Sequence, residues 1–236
     1  MYVPDIHSLP LRDITDAGTA DTEPRCSDWP LVDDGDVQIG IWEATPGVST
    51  EPTEDYLETM FMVSGRVTVT HPDGAPFDIV PGSLWATPRH WDGRWDVHQT
   101  VRKLYVIDHR APVSTGSAMP AGSAHLDNVY TALLDPPVRR PVVIAGDPHE
   151  SSRTLWAHDR LECGVWECTP GEFPFRRDGY DEVFCVLSGH ATLHTDGGQT
   201  FELIPGAVIL TPAGLAGRWV VHRTIRKAYM IVLDRG

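Results

Sequence analysis

Short apolar runs separated by turn-forming residues recur along the chain. In its second half they are Leu161–Glu167, Glu182–Leu187, Ala191–His194, Thr200–Ile204, Val208–Leu210, Arg218–Val221 and Arg226–Leu233. Each has the length of a strand, and alternation is visible: Phe201 and Leu203 fall on one side, Glu202 and Ile204 on the other. Asp196-Gly197-Gly198 and Pro72-Asp73-Gly74 read as hairpin turns, and Pro81-Gly82 and Pro205-Gly206 as tight turns. Ser64-Gly65 and Ser188-Gly189 read as strand ends that need a positive φ. With 21 Gly and 20 Pro spread as punctuation, the pattern predicts an all-β sandwich or barrel. One exception is expected in the middle of the chain. Leu126, Val129, Tyr130, Leu133 and Leu134 recur at helical spacing after a capping Ser123, and Pro136-Pro137 would stop the helix.

The pattern occurs twice. Trp42–Ile107 reads again at Trp166–Ile231 with a constant shift of 124 residues and no gap, and 26 of 66 positions are identical. A period this long, present twice, means two copies of one small domain rather than a solenoid. The expected layout is an N-terminal segment 1–23, a first domain 24–109, a connection 110–147 holding the short helix, and a second domain 148–236.

The net charge of −14 repels phosphate backbones, which argues against a nucleic-acid partner. No apolar run is long enough to span a bilayer, and Met1–Pro10 lacks the basic start and apolar stretch of a secretory signal, so a cytoplasmic location is expected. The four cysteines, Cys26, Cys163, Cys168 and Cys185, fit no zinc spacing and read as reduced, mostly buried thiols.

One motif is specific. In the second copy Gly171 is followed by Tyr180, Glu182, Gly189, Pro205-Gly206, Pro212 and Gly214; the first copy matches with Gly47, Glu58, Gly65, Gly82 and Pro88 but has His90 where the second Gly of P-x-G belongs. This resembles the two motifs of the cupin superfamily, a Gly, an H-x-H, a Glu and a Gly, then G-x5-P-x-G-x2-H. The W-E-x-T-P-G opening and the G-R-W…R-K-x-Y ending are similar to the subgroup that contains (S)-ureidoglycine aminohydrolase and the ethanolamine-utilisation cupin. The resemblance implies a bicupin: two tandem RmlC-like jelly-roll barrels, or double-stranded β-helices.

It also implies a divalent metal held by three His and one Glu, and here the chain departs from the family. The Glu survives as Glu58 and Glu182, but the H-x-H positions fall on Pro52 and Glu54, and on Arg176 and Asp178. The last His position falls on Gly93 and Gly217. No metal or other cofactor is therefore expected at the usual site. His71, His98, His190, His194 and His222 read as surface or hydrogen-bonded groups, and His90 as a group near Glu58 at the barrel mouth.

Strand parity counted from the family Glu gives the inward-facing set. In the first copy it holds Glu54, Tyr56, Glu58, Met60 and Met62; in the second, Arg176, Asp178, Tyr180, Glu182, Phe184 and Val186. Trp95 and Trp219 share phase with the lost His, and Lys103, Tyr105, Lys227 and Tyr229 are assigned inward as well. Trp42 and Trp166 read as core, and Arg102 and Arg226 as solvated or paired outside. A carboxylate against an indole in a poorly solvated barrel is expected to have a raised pKa and to serve as general acid or base.

The reading that results is a small-molecule-binding bicupin whose partner is an anionic or amino-containing metabolite. If it is an enzyme, it is expected to perform metal-independent proton transfer of the isomerase, lyase or hydrolase kind. Glu182 or Glu58 would be the base, Tyr180 or Tyr56 would assist, and Arg176 would grip an anionic group. The second copy is preferred for its Arg176 and its fuller P-x-G. Two alternatives stay open: a metal-dependent enzyme resembling ureidoglycine aminohydrolase, and a non-catalytic ligand sensor or structural protein. A monomer or a homodimer is expected.

Overall fold

The structure, a computed structural model, describes residues 1–10, 12–13, 23–50, 55–71, 74–110 and 124–235, with 12–13 described in backbone only. Among these residues there are strands and turns and no helix. They form two compact units, Leu9–Val129 and Tyr130–Gly236 joined by Met1–Ser8. Each unit holds one copy of the repeat and one extended sheet.

In the unit of the second copy two long strands, Tyr180–Thr195 and Ala216–Leu233, pair antiparallel along their whole length. Each absorbs two of the short apolar runs read from the sequence, which the turn signal at Ser188-Gly189 had separated. Gly189 does take a positive φ of 91°. It sits in a bulge within the strand rather than at its end, with register shifts between Val186 and Ala191. A Cβ placed there would lie 2.1 Å from the carbonyl oxygen of Thr224.

The bulge bends both strands, so that their two halves join different neighbours. Glu182–Cys185 pairs with Val208–Thr211, and Leu161–Cys168 pairs with the 225–232 half of the last strand. Beyond the bend, Ala191–His194 pairs with Thr200–Leu203, and Gly171–Arg176 pairs with Ala216–Val221. The sheet folds over a core that includes Phe173, Phe184, Leu193, Leu203, Trp219, Val221 and Tyr229. At roughly 25 cal/mol per Å², each buried aromatic contributes several kcal/mol toward closing it.

The unit of the first copy repeats this plan with long strands Leu57–Thr70 and Arg94–Asp108. Gly65, at φ 84°, lies against the carbonyl of Thr100. Its core is built from Met60, Met62, Val67, Val97, Trp85, Trp91 and Tyr105.

The helix expected after Ser123 is not formed; Ser123 itself lies outside the described residues. Ala124–Leu126 is a strand that pairs with Leu84–Ala86 in the unit of the first copy. Val129 is buried and donates its amide to the carbonyl of Gly82, while Leu133 is 83% exposed. The apolar stripe therefore does not share one face. An unpaired sheet edge offers this segment backbone partners that a short isolated helix cannot match. The counterpart in the other unit comes from the N-terminus: Tyr2–Val3 pairs with Val208 and Ile209, and Ile6 is fully buried. Neither edge strand was assigned to a barrel from the sequence.

Gly189→Ala forces both a positive φ and a backbone overlap. We expect it to destabilise the second-copy unit by about 2 kcal/mol or more, read as a lowered melting temperature, whereas Gly198→Ala, in an open turn at φ 82° with free space around it, costs less.

Candidate functional site

At the centre of each barrel a buried carboxylate meets a buried ammonium. Glu182 and Lys227 stand on the two long paired strands, 4% and 6% exposed, and Lys227 Nζ donates to Glu182 Oε1 at 2.5 Å. In the other unit Lys103 Nζ donates to Glu58 Oε1 at 2.7 Å. Rings enclose both ammonium groups. Lys227 Nζ lies 4.2 Å from the ring centre of Phe184, 4.9 Å from that of Trp166 and 5.5 Å from that of Trp219. Lys103 Nζ lies 4.8 Å from Trp42 and 5.1 Å from Trp95. The negative ring faces replace part of the hydration that burial removes. The chain has 17 Arg and only two Lys, and both Lys are these.

The electrostatics of the second-copy pair reverse one expectation. Burial alone would raise the Glu182 carboxyl, but Arg177 and Lys227 together outweigh it and hold its pKa below the usual carboxylate range. The group brought toward neutrality is Lys227. Burial pushes its pKa down to about 8; Arg177 adds to the fall and Glu182 opposes it. The carboxylate is therefore a fixed negative charge, and the ammonium is the titrating group.

The second-copy pair faces a cavity of about 220 Å³ whose walls include Trp166, Phe173, Phe175, Arg177, Tyr180, Trp219, Lys227 and Tyr229. In the first copy the positions of Ile209 and Leu215 are occupied by Trp85 and Trp91. Both indoles are buried, 5.2 Å apart edge to face, and Trp85 lies 5.2 Å from Trp95. Two large rings thus stand in the core of the first-copy unit where the second has smaller aliphatic side chains.

Several assignments made from strand parity are corrected. Arg176 and Asp178 point to solvent, 68% and 75% exposed in their side chains, and pair with each other at 2.6 Å. The inward residue is Arg177. Its Nη2 contacts Glu182 Oε2, its Nε donates to Thr211 Oγ1 at 2.9 Å, and its Nη1 donates to the Tyr180 hydroxyl at 3.2 Å. The strand stops at Arg176, and the amide of Arg177 turns to the carbonyl of Leu215 at 2.9 Å. Gly179 then takes a φ of 77°. A parity counted back from Glu182 does not survive that turn. The Arg176-Arg177 doublet was the available signal, but not which of the two enters.

Trp42 and Trp166, read as core, are half-buried. Trp166 lines the cavity and its Nε1 donates to Glu150 Oε2 at 2.9 Å. His90 does not approach Glu58; it is exposed, at φ 54°, and faces Asp55 at 3.6 Å. Tyr56 packs edge-on against the His109 ring, centres 5.3 Å apart. Glu54 and Pro52 lie outside the described residues.

The structure places Glu58, Lys103, Trp95 and Tyr105 together in one barrel, and Glu182, Lys227, Trp219, Tyr229 and Tyr180 in the other. Tyr229 donates to Glu162 at 2.9 Å, and burial and that carboxylate raise its pKa; Tyr105 likewise donates to Asp28 at 3.0 Å. Gly164 and Gly40 make these reaches possible, since a Cβ on either would lie within 2.8 Å of the phenol oxygen.

Arg102 pairs with Glu43 at 2.8 Å and Arg226 with Glu167 at 3.2 Å. His98 and His222 bond Thr68 and Thr192, and His190 and His194 bond Glu202 and Thr200. All four cysteines are free thiols, and burial pushes the Cys168 and Cys185 thiols up to about 12.

The donor set does not fit the family metal. At the second-copy site the one carboxylate is already bound by two cations, and the H-x-H positions face solvent. A Cβ on Gly217 would sit 2.0 Å from the carbonyl oxygen of His194, so the backbone leaves no room for a ligand side chain there. On Gly93 it would strike the Trp91 ring at 2.0 Å. Among the described residues no group of three or more His, Cys, Asp or Glu is placed to hold a metal ion.

No curated protein matches the chain. Solved structures share its fold. A protein of unknown function from Pseudomonas syringae pv. tomato is 21% identical at a TM-score of 0.75, with 98% of each chain covered. Protein Ylba from E. coli is 12% identical at 0.67, covering 100% of this chain and 91% of its own. A variant of salicylate 1,2-dioxygenase from Pseudoaminobacter salicylatoxidans is 14% identical at 0.62, covering 87% and 76%. The model of the EutQ-like cupin domain matches twice, over residues 31–105 and 156–229. With each match spanning one copy of the repeat and its central Glu–Lys pair, the chain belongs to the EutQ-like cupin family as a two-domain cupin.

Proposed function

We propose that the second barrel binds a small anionic metabolite and moves a proton on it through Lys227, without a metal. The observation that carries this reading is the local charge of the Arg177–Glu182–Lys227 cluster on the cavity wall. Arg177 and Lys227 share the single carboxylate of Glu182, so the cluster holds one positive charge in excess. Of the other charged walls, Arg140 pairs with Glu150 at 2.5 Å, while Glu162 accepts from the hydroxyls of Tyr229 and Thr154 and keeps its negative charge on the strand beside the cluster. An uncompensated cation in a poorly solvated, ring-lined space is stabilised by an anion. The cavity is smaller than the ~300–1,000 Å³ usual for drug-sized ligands, which favours an acid of a few carbons.

The roles differ from those read in the sequence. Glu182 fixes the ammonium and keeps its charge. Lys227, poised near neutral pH, is the group able to give or take the proton. Arg177, always protonated, supplies the fixed cation that Arg176 was expected to provide. Tyr180 is held at the cavity wall by Arg177. The first copy has Thr53 at the position of Arg177, so its Glu58–Lys103 pair carries no excess charge, and its barrel is the structural member of the pair. The metal-dependent alternative is disfavoured by the two cations on Glu182 and by the closed backbone at Gly217.

Three outcomes are expected. Lys227 carries its proton below about 8 and loses it above, so calorimetry with small carboxylates such as acetate, pyruvate and malonate should show affinity falling as pH rises through that value, approaching about tenfold per pH unit. Affinity that rises instead would remove Lys227 from the site. Ile231→Trp, which enlarges a side chain lining the cavity, should abolish this binding while the protein stays folded by circular dichroism. Lys103→Met leaves Glu58 buried with no other partner among the described residues, so it should destabilise its unit by about 3–5 kcal/mol in denaturant unfolding, with carboxylate binding in the second barrel unchanged.

A further inference from the structure

We infer that Lys227 is a carbonyl-directed nucleophile that forms a Schiff base with a small 2-oxo carboxylate, held by Arg177. The inference rests on the anion-binding reading of the second barrel and adds a covalent step to it.

Its first ground is residue choice. The chain has 17 Arg but only two Lys, and both Lys stand at the barrel centres. Arg matches or exceeds Lys as an ion-pair partner, but it cannot be deprotonated in a protein, whereas a buried Lys can. Apart from the Met1 amino group, which donates to the carbonyl of Leu210, the amines capable of carrying a lone pair are therefore those of Lys103 and Lys227, and of these only Lys227 borders the cavity.

The second ground is spacing. Lys227 Nζ meets Glu182 Oε1, and Arg177 Nη2 meets Oε2 of the same carboxylate. The two cations are thus set apart by the width of one carboxylate. A ligand whose carboxylate adjoins its carbonyl spans that distance, the carboxylate on Arg177 and the carbonyl carbon at Nζ. The third ground is the neighbourhood. A second cation beside the amine and surrounding rings that exclude water are the conditions under which lysine becomes a nucleophile, and they agree with its lowered pKa.

The step balances without an added reactant. Lys227 first releases its ammonium proton to solvent. The Nζ lone pair then forms the C–N bond as the carbonyl π pair moves to oxygen. One of the two protons on the now cationic nitrogen moves to that oxygen, giving a carbinolamine, while Glu182 keeps its charge beside Nζ. The second amine proton leaves with the oxygen as water, and a C=N bond remains. The imine withdraws electrons from the adjacent C–H and C–C bonds, which extends the proton-transfer reading to chemistry at the carbon next to the carbonyl.

The test is borohydride trapping on the full chain with pyruvate, followed by intact mass and peptide mapping, alongside calorimetry with pyruvate. The expected result is a reduced adduct on Lys227 at about tenfold or more the level on Lys103, lost in Lys227→Met. Ile231→Trp keeps the amine and enlarges a side chain lining the cavity, so it should lose the adduct too, and it serves if Lys227→Met does not fold. Acetone, which lacks the carboxylate, should give little adduct. Binding of pyruvate with no adduct overturns the Schiff base and leaves the anion site standing. Neither binding nor adduct overturns both. Equal labelling of Lys103 and Lys227 overturns the inference, and equal labelling by acetone and pyruvate overturns the role of Arg177.

Discussion

An ammonium and a carboxylate buried among rings is the constraint around which each barrel is built. Removing two ions from water costs several kcal/mol apiece, and their attraction offsets this only with close geometry. The long paired strands supply that geometry, bringing Glu182 to Lys227 and Glu58 to Lys103 at hydrogen-bond distance. Indole and phenyl faces complete the shell around each ammonium. The bends that let the sheet fold over this centre require glycine at Gly65 and Gly189, because backbone occupies the space of a side chain there.

The same centre appears twice, and the differences around it separate support from chemistry. In the first copy Trp85 and Trp91 pack together in the core, and Trp85 also meets Trp95, a ring that faces Lys103. In the second, Ile209 and Leu215 occupy those positions and Arg177 enters beside Glu182. A second cation on one carboxylate leaves positive charge uncompensated next to open space. That combination turns a structural pair into a candidate binding site, and it sets the Lys227 amine apart from its twin.

Relative to the metal-binding pattern of the wider superfamily, the site has kept the acid and replaced the imidazoles. The replacement is built into the backbone as well as the side chains. Gly217 lies so close to the carbonyl of His194 that no larger residue fits, and Gly93 makes room for the Trp91 ring. Positive charge that a metal would bring is supplied by Lys227 and Arg177, which donate protons where a metal would accept lone pairs.

The duplication, the all-β class, most strands and the pairing partners of the central acid were legible from residues alone. Strand periodicity and turn chemistry are local, and a shift of 124 residues needs no structure to be seen. Trp95 and Trp219 are placed inward by their phase with the position of the lost His, and Lys103 and Lys227, which share a strand face with Tyr105 and Tyr229, are assigned inward with them. Parity failed where the chain turned, so Arg176 was chosen over Arg177. The stretch after Ser123 carried a helical pattern but was drawn into a sheet edge by Leu84–Ala86. The sign of the Glu182 shift also required three dimensions, since two cations contributed by separate segments outweigh the burial that favours protonation. Sequence fixes what repeats along a strand; which residue crosses a turn to meet a charge depends on distances between segments far apart in the chain.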